Sequence, residues 1–383
     1  MRASDIFRGD GERGLLDKLA AVNWGLVLLI ALVCSIGFAM QYSAAGGSMD
    51  PWAGRQMMRF AVGVAMMIAV ALVHLRWWYW LAYPVYAAGL VLLVGVEIFG
   101  RVGMGAQRWI DLGVVQFQPT EVMKFGLVLV LARYFHGLSS EAVARPAMLV
   151  WPILLGLVPA LLVAKQPDLG SALLLLILTG AMLFLAGVRI WKFLAVGAAV
   201  VAALPLAWTQ LRDYQKQRVL VFLNPENDPL GSGYHIIQSK IALGSGGVWG
   251  KGFMQGTQAH LQFLPEKQTD FIFTMFAEEF GLAGGLVLLC LYGAILVYGT
   301  TIALAARSQF ARLVASGVMV AFWVYAFINM AMVTGLIPVV GEPLPFVSYG
   351  GTALMALLIS FGLVINVSVH RQAQVRAGDD PGG

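Results

Sequence analysis

The sequence predicts an all-α polytopic membrane protein with ten transmembrane helices, both termini cytoplasmic, and a long periplasmic loop between the seventh and eighth helices. Three observations carry that expectation. Of 383 residues, 59% are apolar and 12% charged, and mean hydropathy is +0.79; a soluble domain is nearer half apolar and about a quarter charged. The apolar residues fall into stretches of about 20, the length that crosses a hydrocarbon core. Lys and Arg are distributed unequally between alternate connections, which orients the chain.

The expected spans are 20–41, 57–75, 77–97, 119–137, 147–164, 169–187, 191–210, 271–305, 311–335 and 349–369. The eighth is too long for a single upright crossing and is expected to project from the membrane or tilt. Pro84, Pro152, Pro159 and Pro205 fall inside spans and are expected to bend them. Residues 1–19 form a cytoplasmic segment, 20–370 the membrane domain, and 371–383 a cytoplasmic tail expected to be disordered. Residues 1–18 mix Arg2, Arg8, Arg13 and Lys18 with Asp5, Asp10, Glu12 and Asp17. The apolar run after them exceeds the roughly 7–15 residues of a signal peptide. The first span is therefore expected to stay uncleaved, despite a faint cleavage-like Ser43-Ala44-Ala45.

With the N-terminus inside, thirteen Lys and Arg lie on the cytoplasmic side: Arg2, Arg8, Arg13, Lys18, Arg76, Arg133, Arg145, Arg189, Lys192, Arg307, Arg312, Arg371 and Arg376. Six lie outside: Arg55, Arg59, Arg101, Arg108, Lys124 and Lys165, leaving aside the long segment 211–270, whose charge says little about orientation. The loop 98–118 and the segment 211–270 are then periplasmic. A connection as long as the second is uncommon unless it is functional.

Several function classes find no support. The formal charge of +5 is spread thinly, with no basic run, so nucleic acid is not an expected partner. There is no phosphate-loop, His-Glu-x-x-His or Gly-x-Ser-x-Gly pattern. The five histidines lack metal-ligand spacing, and Cys34 and Cys290 sit in apolar runs as packing residues. The Asp-x-Asp pair of many sugar-nucleotide transferases is also missing. A transferase built on this chain would take a lipid-borne donor.

What remains are ionisable residues at membrane edges, which are costly in hydrocarbon and mark functional sites. Glu121 and Lys124 share a helix face just after Pro119, either as a structural ion pair or as substrate contacts. Lys165 and Asp168 flank a turn, Lys-Gln-Pro-Asp-Leu-Gly, where Asp168 suits a helix N-cap. The stretch 213–282 is the richest, with a helix-compatible segment at 234–243 that suits a membrane surface and a glycine-dense run at 244–256. Asp270 stands where that stretch enters the eighth span, as a helix cap or as an acid–base group. Glu278 and Glu279 require a polar cavity or a cation, and are weak metal-ligand candidates.

Eight motifs resemble the SEDS family of cell-wall proteins (shape, elongation, division, sporulation). They are Gly-Ala-Gln-Arg-Trp-Ile-Asp-Leu-Gly (105–113), Phe-Gln-Pro-Thr-Glu-Val-Met-Lys (117–124), Lys-Gln-Pro-Asp-Leu-Gly (165–170) and Phe-Leu-Asn-Pro-Glu (222–226). Then follow Gly-Tyr-His-Ile-Ile-Gln-Ser-Lys (233–240), Phe-Leu-Pro-Glu-x-x-Thr-Asp-Phe-Ile-Phe (263–273), Ala-Glu-Glu-Phe-Gly (277–281) and Pro-Leu-Pro-Phe-Val-Ser-Tyr-Gly-Gly (343–351). They run in order across 20–370, and the motifs at 235–240 and 256–266 favour an elongation-type over a division-type member.

The resemblance implies a ten-helix enzyme of the inner membrane that polymerises lipid II into glycan strands on the periplasmic face during elongation. It implies a class B penicillin-binding protein as transpeptidase partner, beside other membrane proteins of the elongation complex. The family's essential aspartate falls on Asp270 and its essential loop tryptophan on Trp109. Inverting transfer needs one base, assigned to Asp270. Arg101, Arg108, Lys124, Lys165 and Arg218 are candidates for the pyrophosphate, with a divalent cation (Mg or Mn) left open. Glu121, Gln238, Lys240 and Glu266 complete the substrate-binding candidates, and Gly281, Gly284 and Gly285 offer a small-residue face to a partner helix. A lipid II flippase is the main rival activity, and a recruiting scaffold the lesser one.

The orientation is checked by Ser232→Cys in intact spheroplasts. An impermeant thiol reagent is expected to label it before lysis; labelling only after lysis reverses the topology.

Overall fold

The computed structural model describes residues 14–103, 106–111, 116–210, 216, 220–222, 224, 232–257 and 267–373. It is predominantly helical. A short α1 (Leu15–Ala20) leads into α2 (Trp24–Ala44), α3 (Ala53–Leu72) and α4 (Leu75–Phe99). After three short strands come α5 (Pro119–Phe135), α6 (Ser140–Ala144), α7 (Val150–Lys165), α8 (Leu169–Leu185) and α9 (Ile190–Gln210). The chain closes with α10 (Ser232–Gly246), α11 (Ile272–Ala305), α12 (Gln309–Val333) and α13 (Gly351–Val369). Each expected span coincides with one of these helices. Among the described residues, seven helices are long and apolar enough to cross a membrane, and α8 and α9 are shorter apolar helices.

Local chemistry sets the helix ends. Pro119 opens α5, where its missing N–H costs nothing. Asp168 caps α8 through its bond from Ser171 N, the role its position suggested. Gly137 and Gly187 follow α5 and α8 with φ of 82° and 96°, the left-handed conformation that stops a helix cheaply. Pro84, Pro159 and Pro205 lie inside helices as expected, whereas Pro152 sits in the first turn of α7.

The all-α expectation needs one correction. The loop after α4 holds a small antiparallel sheet of β1 (Arg101–Gly103), β2 (Ala106–Asp111) and β3 (Gln116–Phe117). Its register pairs Arg101 with Trp109 and Ile110 with Phe117. The sequence expectation of a plain loop over 98–118 is corrected by this pairing.

The core centres on α5, α12 and α13, with α3 laid along α13 and α11 along α12. α9 is exposed along most of its length. Several polar side chains inside the bundle serve distant backbone. Asn366, fully buried in α13, donates to the carbonyls of Val70, Ala71 and Val73 where α3 ends.

The eighth span is neither straight nor merely tilted. α11 is broken at Gly281, with φ 65° and ψ −164°. A break removes the helical bonds Leu282 N to Glu278 O and Ala283 N to Glu279 O. The glycine-dense run replaces both. Lys251 N and Gly252 N donate to the carbonyls of Glu278 and Glu279 at 3.0 Å each, while Leu282 N and Ala283 N donate to Gly247 and Val248 at 2.9 and 3.0 Å. Backbone in a membrane protein cannot be left unpaired, so the plug and the break need each other. Gly281 is therefore covered by residues 248–250 and is not open to a partner helix, contrary to the sequence expectation. The helix at 234–243 is likewise longer than expected and packs on α11, with Ser239 bonded to Thr274 at 2.7 Å.

A Cβ on Gly281 would lie 2.4 Å from Gly250 N, at a φ that L residues rarely adopt. Gly281→Ala is expected to cost about 2 kcal/mol or more, the scale of strained backbone, read as a lower unfolding midpoint in detergent. Gly293→Ala, whose Cβ would meet nothing within 4 Å, is the control and is expected to leave the midpoint in place.

Candidate functional site

The site lies where the sheet, the turns before α8 and α11, and the segment between α12 and α13 meet. That last segment, Glu342–Tyr349, is not helical, yet Glu342, Leu344, Phe346, Val347 and Ser348 are buried. Its carbonyls are met by side chains reaching from four helices. Asn329 donates to Glu342 O at 2.8 Å, Tyr292 to Pro345 O at 2.6 Å, Gln41 to Val347 O at 3.0 Å and Gln56 to Ser348 O at 3.1 Å.

Asp270 belongs to the turn before α11. It is not the helix cap: Phe271 occupies that position and no side chain caps the helix. The turn is tied to the buried segment instead. Tyr349 N donates to Gln268 O at 2.8 Å, Ser348 Oγ to Thr269 O at 2.6 Å, and Asn329 Nδ2 to Asp270 O at 2.9 Å. Gly341, with φ 78°, brings its backbone up to the Asp270 carboxylate: a Cβ there would stand 3.4 Å from Oδ2. Asn329 thus holds the carbonyls of Asp270 and Glu342 with one amide.

Two charged pairs stand beside this turn. Lys124 Nζ bonds Glu121 Oε1 at 2.7 Å and lies 4.5 Å from the Tyr325 ring centroid. Arg108, on β2, donates to Pro167 O at 2.7 Å, and its Nε lies 3.8 Å from Asp168 Oδ2. Glu342 joins them, accepting from Ser171 Oγ at 2.8 Å. Burial is the largest influence on its carboxyl and pushes it up to about 7; Asp168 and Glu121 add to the push, while Lys124 and the Ser171 hydrogen bond oppose it.

From this polar end runs an open apolar groove between α5, α12 and α13. Glu121, Lys124, Tyr325, Ser348 and Gly350 line one part, and Phe125, Val128, Val318, Leu354, Leu357 and Leu363 line the rest.

The structure does not bring all the sequence candidates together. Glu121 and Lys124 line the groove, and Arg108 and half-buried Trp109 share the adjoining strand β2. Lys165 instead bonds Glu97 at 3.1 Å with its side chain 72% exposed, a surface pair of little energetic weight. Lys240 rests against Gly335 past the end of α12, and neither it nor Gln238 lines the groove. Arg218, Glu266 and the side chain of Arg101 lie outside the described residues. Glu278 is held by protein donors: Lys251 Nζ at 2.6 Å, Thr257 N at 2.9 Å and Thr257 Oγ1 at 3.0 Å. Glu279 accepts from Ser43. Among the described residues no three His, Cys, Asp or Glu converge as metal ligands.

Sequence reasoning missed Glu342, Asn329, Tyr325 and Ser171. Glu342 had a signal, as the only Asp, Glu, Lys or Arg between Arg312 and Arg371. The other three are ordinary residues of apolar helices, and only the fold makes them neighbours of the site.

Comparison with known proteins converges on one family. The model of the FtsW/RodA/SpoVE cell cycle proteins matches residues 18–373. The peptidoglycan glycosyltransferase MrdB of Escherichia coli K12 is 45% identical over 350 residues, covering 90% of this chain and 93% of that protein. The chain also resembles a solved structure described as showing the structural coordination of polymerization and crosslinking by a peptidoglycan synthase complex. There the TM-score is 0.79 at 35% identity, over 91% of this chain and 98% of the other. The rod shape determining protein RodA of Thermus thermophilus superposes with a TM-score of 0.70 at 32% identity, over 92% and 98% of the two chains.

The buried pair gives a test independent of activity. Lys124→Met strands the Glu121 carboxylate and is expected to cost about 3–5 kcal/mol of stability. Glu121→Gln combined with Lys124→Met is expected to regain part of that loss in detergent unfolding. Additive losses would mean that the two side chains are not coupled.

Proposed function

We propose, because this chain belongs to the FtsW/RodA/SpoVE family of cell cycle proteins, that it is a peptidoglycan glycosyltransferase of the rod-type, elongation branch. The family is the SEDS family that the motifs at 105–124, 263–281 and 343–351 resemble. The chain is a multi-pass membrane protein that polymerises lipid II into a growing glycan strand. One observation carries the reading: a long apolar groove opens beside a cluster of cations at the turn that bears Asp270. A polyprenyl tail would lie in the groove while its pyrophosphate reaches Lys124 and Arg108.

Residues 20–370 act as one membrane domain of ten crossings in the bacterial inner membrane, with both termini cytoplasmic and 211–270 as the large periplasmic loop. The distribution of Lys and Arg supports this orientation. So does the burial pattern. The buried Asp, Glu, Lys and Arg side chains of the described residues are Lys124, Asp168, Glu278, Glu279 and Glu342. All five belong to the end of the bundle that carries the sheet. A transporter would string such groups through the membrane depth, which is why transfer is preferred to flipping.

In the reaction, the 4-hydroxyl oxygen of the acceptor's N-acetylglucosamine attacks the anomeric carbon of the donor's N-acetylmuramic acid. The new carbon–oxygen bond forms as the bond to the polyprenyl pyrophosphate breaks, so an α-linked donor gives a β-linked product. Asp270 takes the hydroxyl proton. Lys124 and Arg108 offset the charge that builds on the leaving pyrophosphate. Trp109, on the same strand as Arg108, contributes an aromatic face to the sugar. No cross-linking signature is present in the chain, so a class B penicillin-binding protein supplies the transpeptidase. The likeness to a synthase complex that couples polymerisation and crosslinking supports that partnership.

The decisive variant is Asp270→Asn, which keeps shape while removing the base. With purified protein and labelled lipid II, glycan synthesis is expected to fall about 10²-fold or more, while insertion and co-purification of the transpeptidase persist. Near-normal strands from this variant would remove Asp270 from the chemistry and leave Glu266 as the next candidate.

A further inference from the structure

Glu342 is a buried carboxylate, 4% exposed, that the proposed chemistry leaves without a role. Its backbone oxygen shares the Asn329 amide with that of Asp270, and the preceding residue, Gly341, faces the Asp270 carboxylate. Its side chain points the other way, to Ser171 at the start of α8, within electrostatic range of Lys124, Asp168 and Glu121. We propose that Glu342 is a positioning residue: it ties the Asp270 turn to the Lys124–Asp168 cluster, and its charge state sets how strongly that cluster attracts an anionic lipid headgroup. This rests on the glycosyltransferase reading and deepens it.

The groups facing Glu342 make the charge balance explicit. α5 contributes Glu121 and Lys124; the turn before α8 contributes Asp168, paired with Arg108 of β2. α8 offers the Ser171 hydroxyl, α12 offers Asn329 and the Tyr325 ring that covers Lys124, and Asp270 stands across Gly341. Lys124 with Glu121 and Arg108 with Asp168 cancel in pairs. With the Asp270 carboxylate counted, a protonated Glu342 leaves one net negative charge on that set, and an ionised one leaves two. The carboxyl, held up to about 7 by burial, changes state near neutral pH: neutral below, anionic above. A pyrophosphate diester keeps its charge throughout that range, so its attraction to the cluster weakens as pH rises.

A merely structural Glu342 would shift activity equally at every pH, and the split between KM and kcat separates the cases. Purified full-length chain is assayed with labelled lipid II between about pH 6 and about pH 8, the range around the group's titration. Wild-type KM is expected to rise about 3- to 10-fold over that range, the scale of one removed charge at partly screened distance. Glu342→Gln keeps the size of the side chain and its bond from Ser171, and its KM is expected to stay flat at the low-pH value. The ratio of its kcat to wild type is expected not to vary with pH. Ser171→Ala removes a hydrogen bond that favours the ionised form, so it is expected to move the rise in KM to higher pH. A Glu342→Gln profile parallel to wild type overturns the proposal. If that variant does not fold, an unmoved midpoint in Ser171→Ala overturns it instead. Absence of strands from wild type overturns the glycosyltransferase reading, and this one with it, before either variant is compared.

Discussion

Much of this protein follows from a single constraint: backbone carried into a helical bundle without being helical must find hydrogen-bond partners inside the protein. The segment Glu342–Tyr349 is the clearest case. Its prolines, Pro343 and Pro345, forbid helix, and Phe346 is held at φ 64°. Asn329, Tyr292, Gln41 and Gln56 each extend one donor to it from a different helix. Those four side chains look like isolated polar residues within apolar spans, and each has its reason in a carbonyl far away in sequence.

The same constraint explains the broken α11. Gly281 interrupts the helix, and the run 246–252 enters the gap and supplies the two donors and two acceptors that the interruption strands. The carboxylates of Glu278 and Glu279 then meet Lys251, Thr257 and Ser43 instead of hydrocarbon. One device therefore serves the break, the glycine run and the acidic pair. It also fixes the start of α11, and with it the turn that presents Asp270.

How far the sequence speaks depends on the range of the interaction. Helix positions were legible because apolar length and proline placement are local, and the Asp168 cap and the Glu121–Lys124 pair sit within one helical turn. The strands at 101–103, 106–111 and 116–117 are too short and too closely spaced for the sequence pattern to separate them from a loop. The use of glycines 246 and 250 was not legible, because the surface they approach is another backbone about thirty residues on. Lys165 shows the reverse failure: the sequence placed a cation at the right edge, but its ion pair with Glu97 depends on how α7 lies against α4.

The position of Asp270 relative to its helix bears on what it can do. An aspartate at the N-cap spends its oxygens on the first N–H groups and is held ionised by them. Asp270 lies one residue upstream of the cap, so its carboxylate is directed toward Gly341 and its carbonyl is fixed by Asn329. The left-handed glycine at 341 leaves room at the carboxylate where any other residue would place a Cβ 3.4 Å from Oδ2. Lys124 and Arg108 stand on the other flank, each holding a carboxylate partner. Asp270 on one flank and Lys124 and Arg108 on the other are thus separated by the buried segment 342–349, the separation that their proposed roles as base and leaving-group stabilisers require.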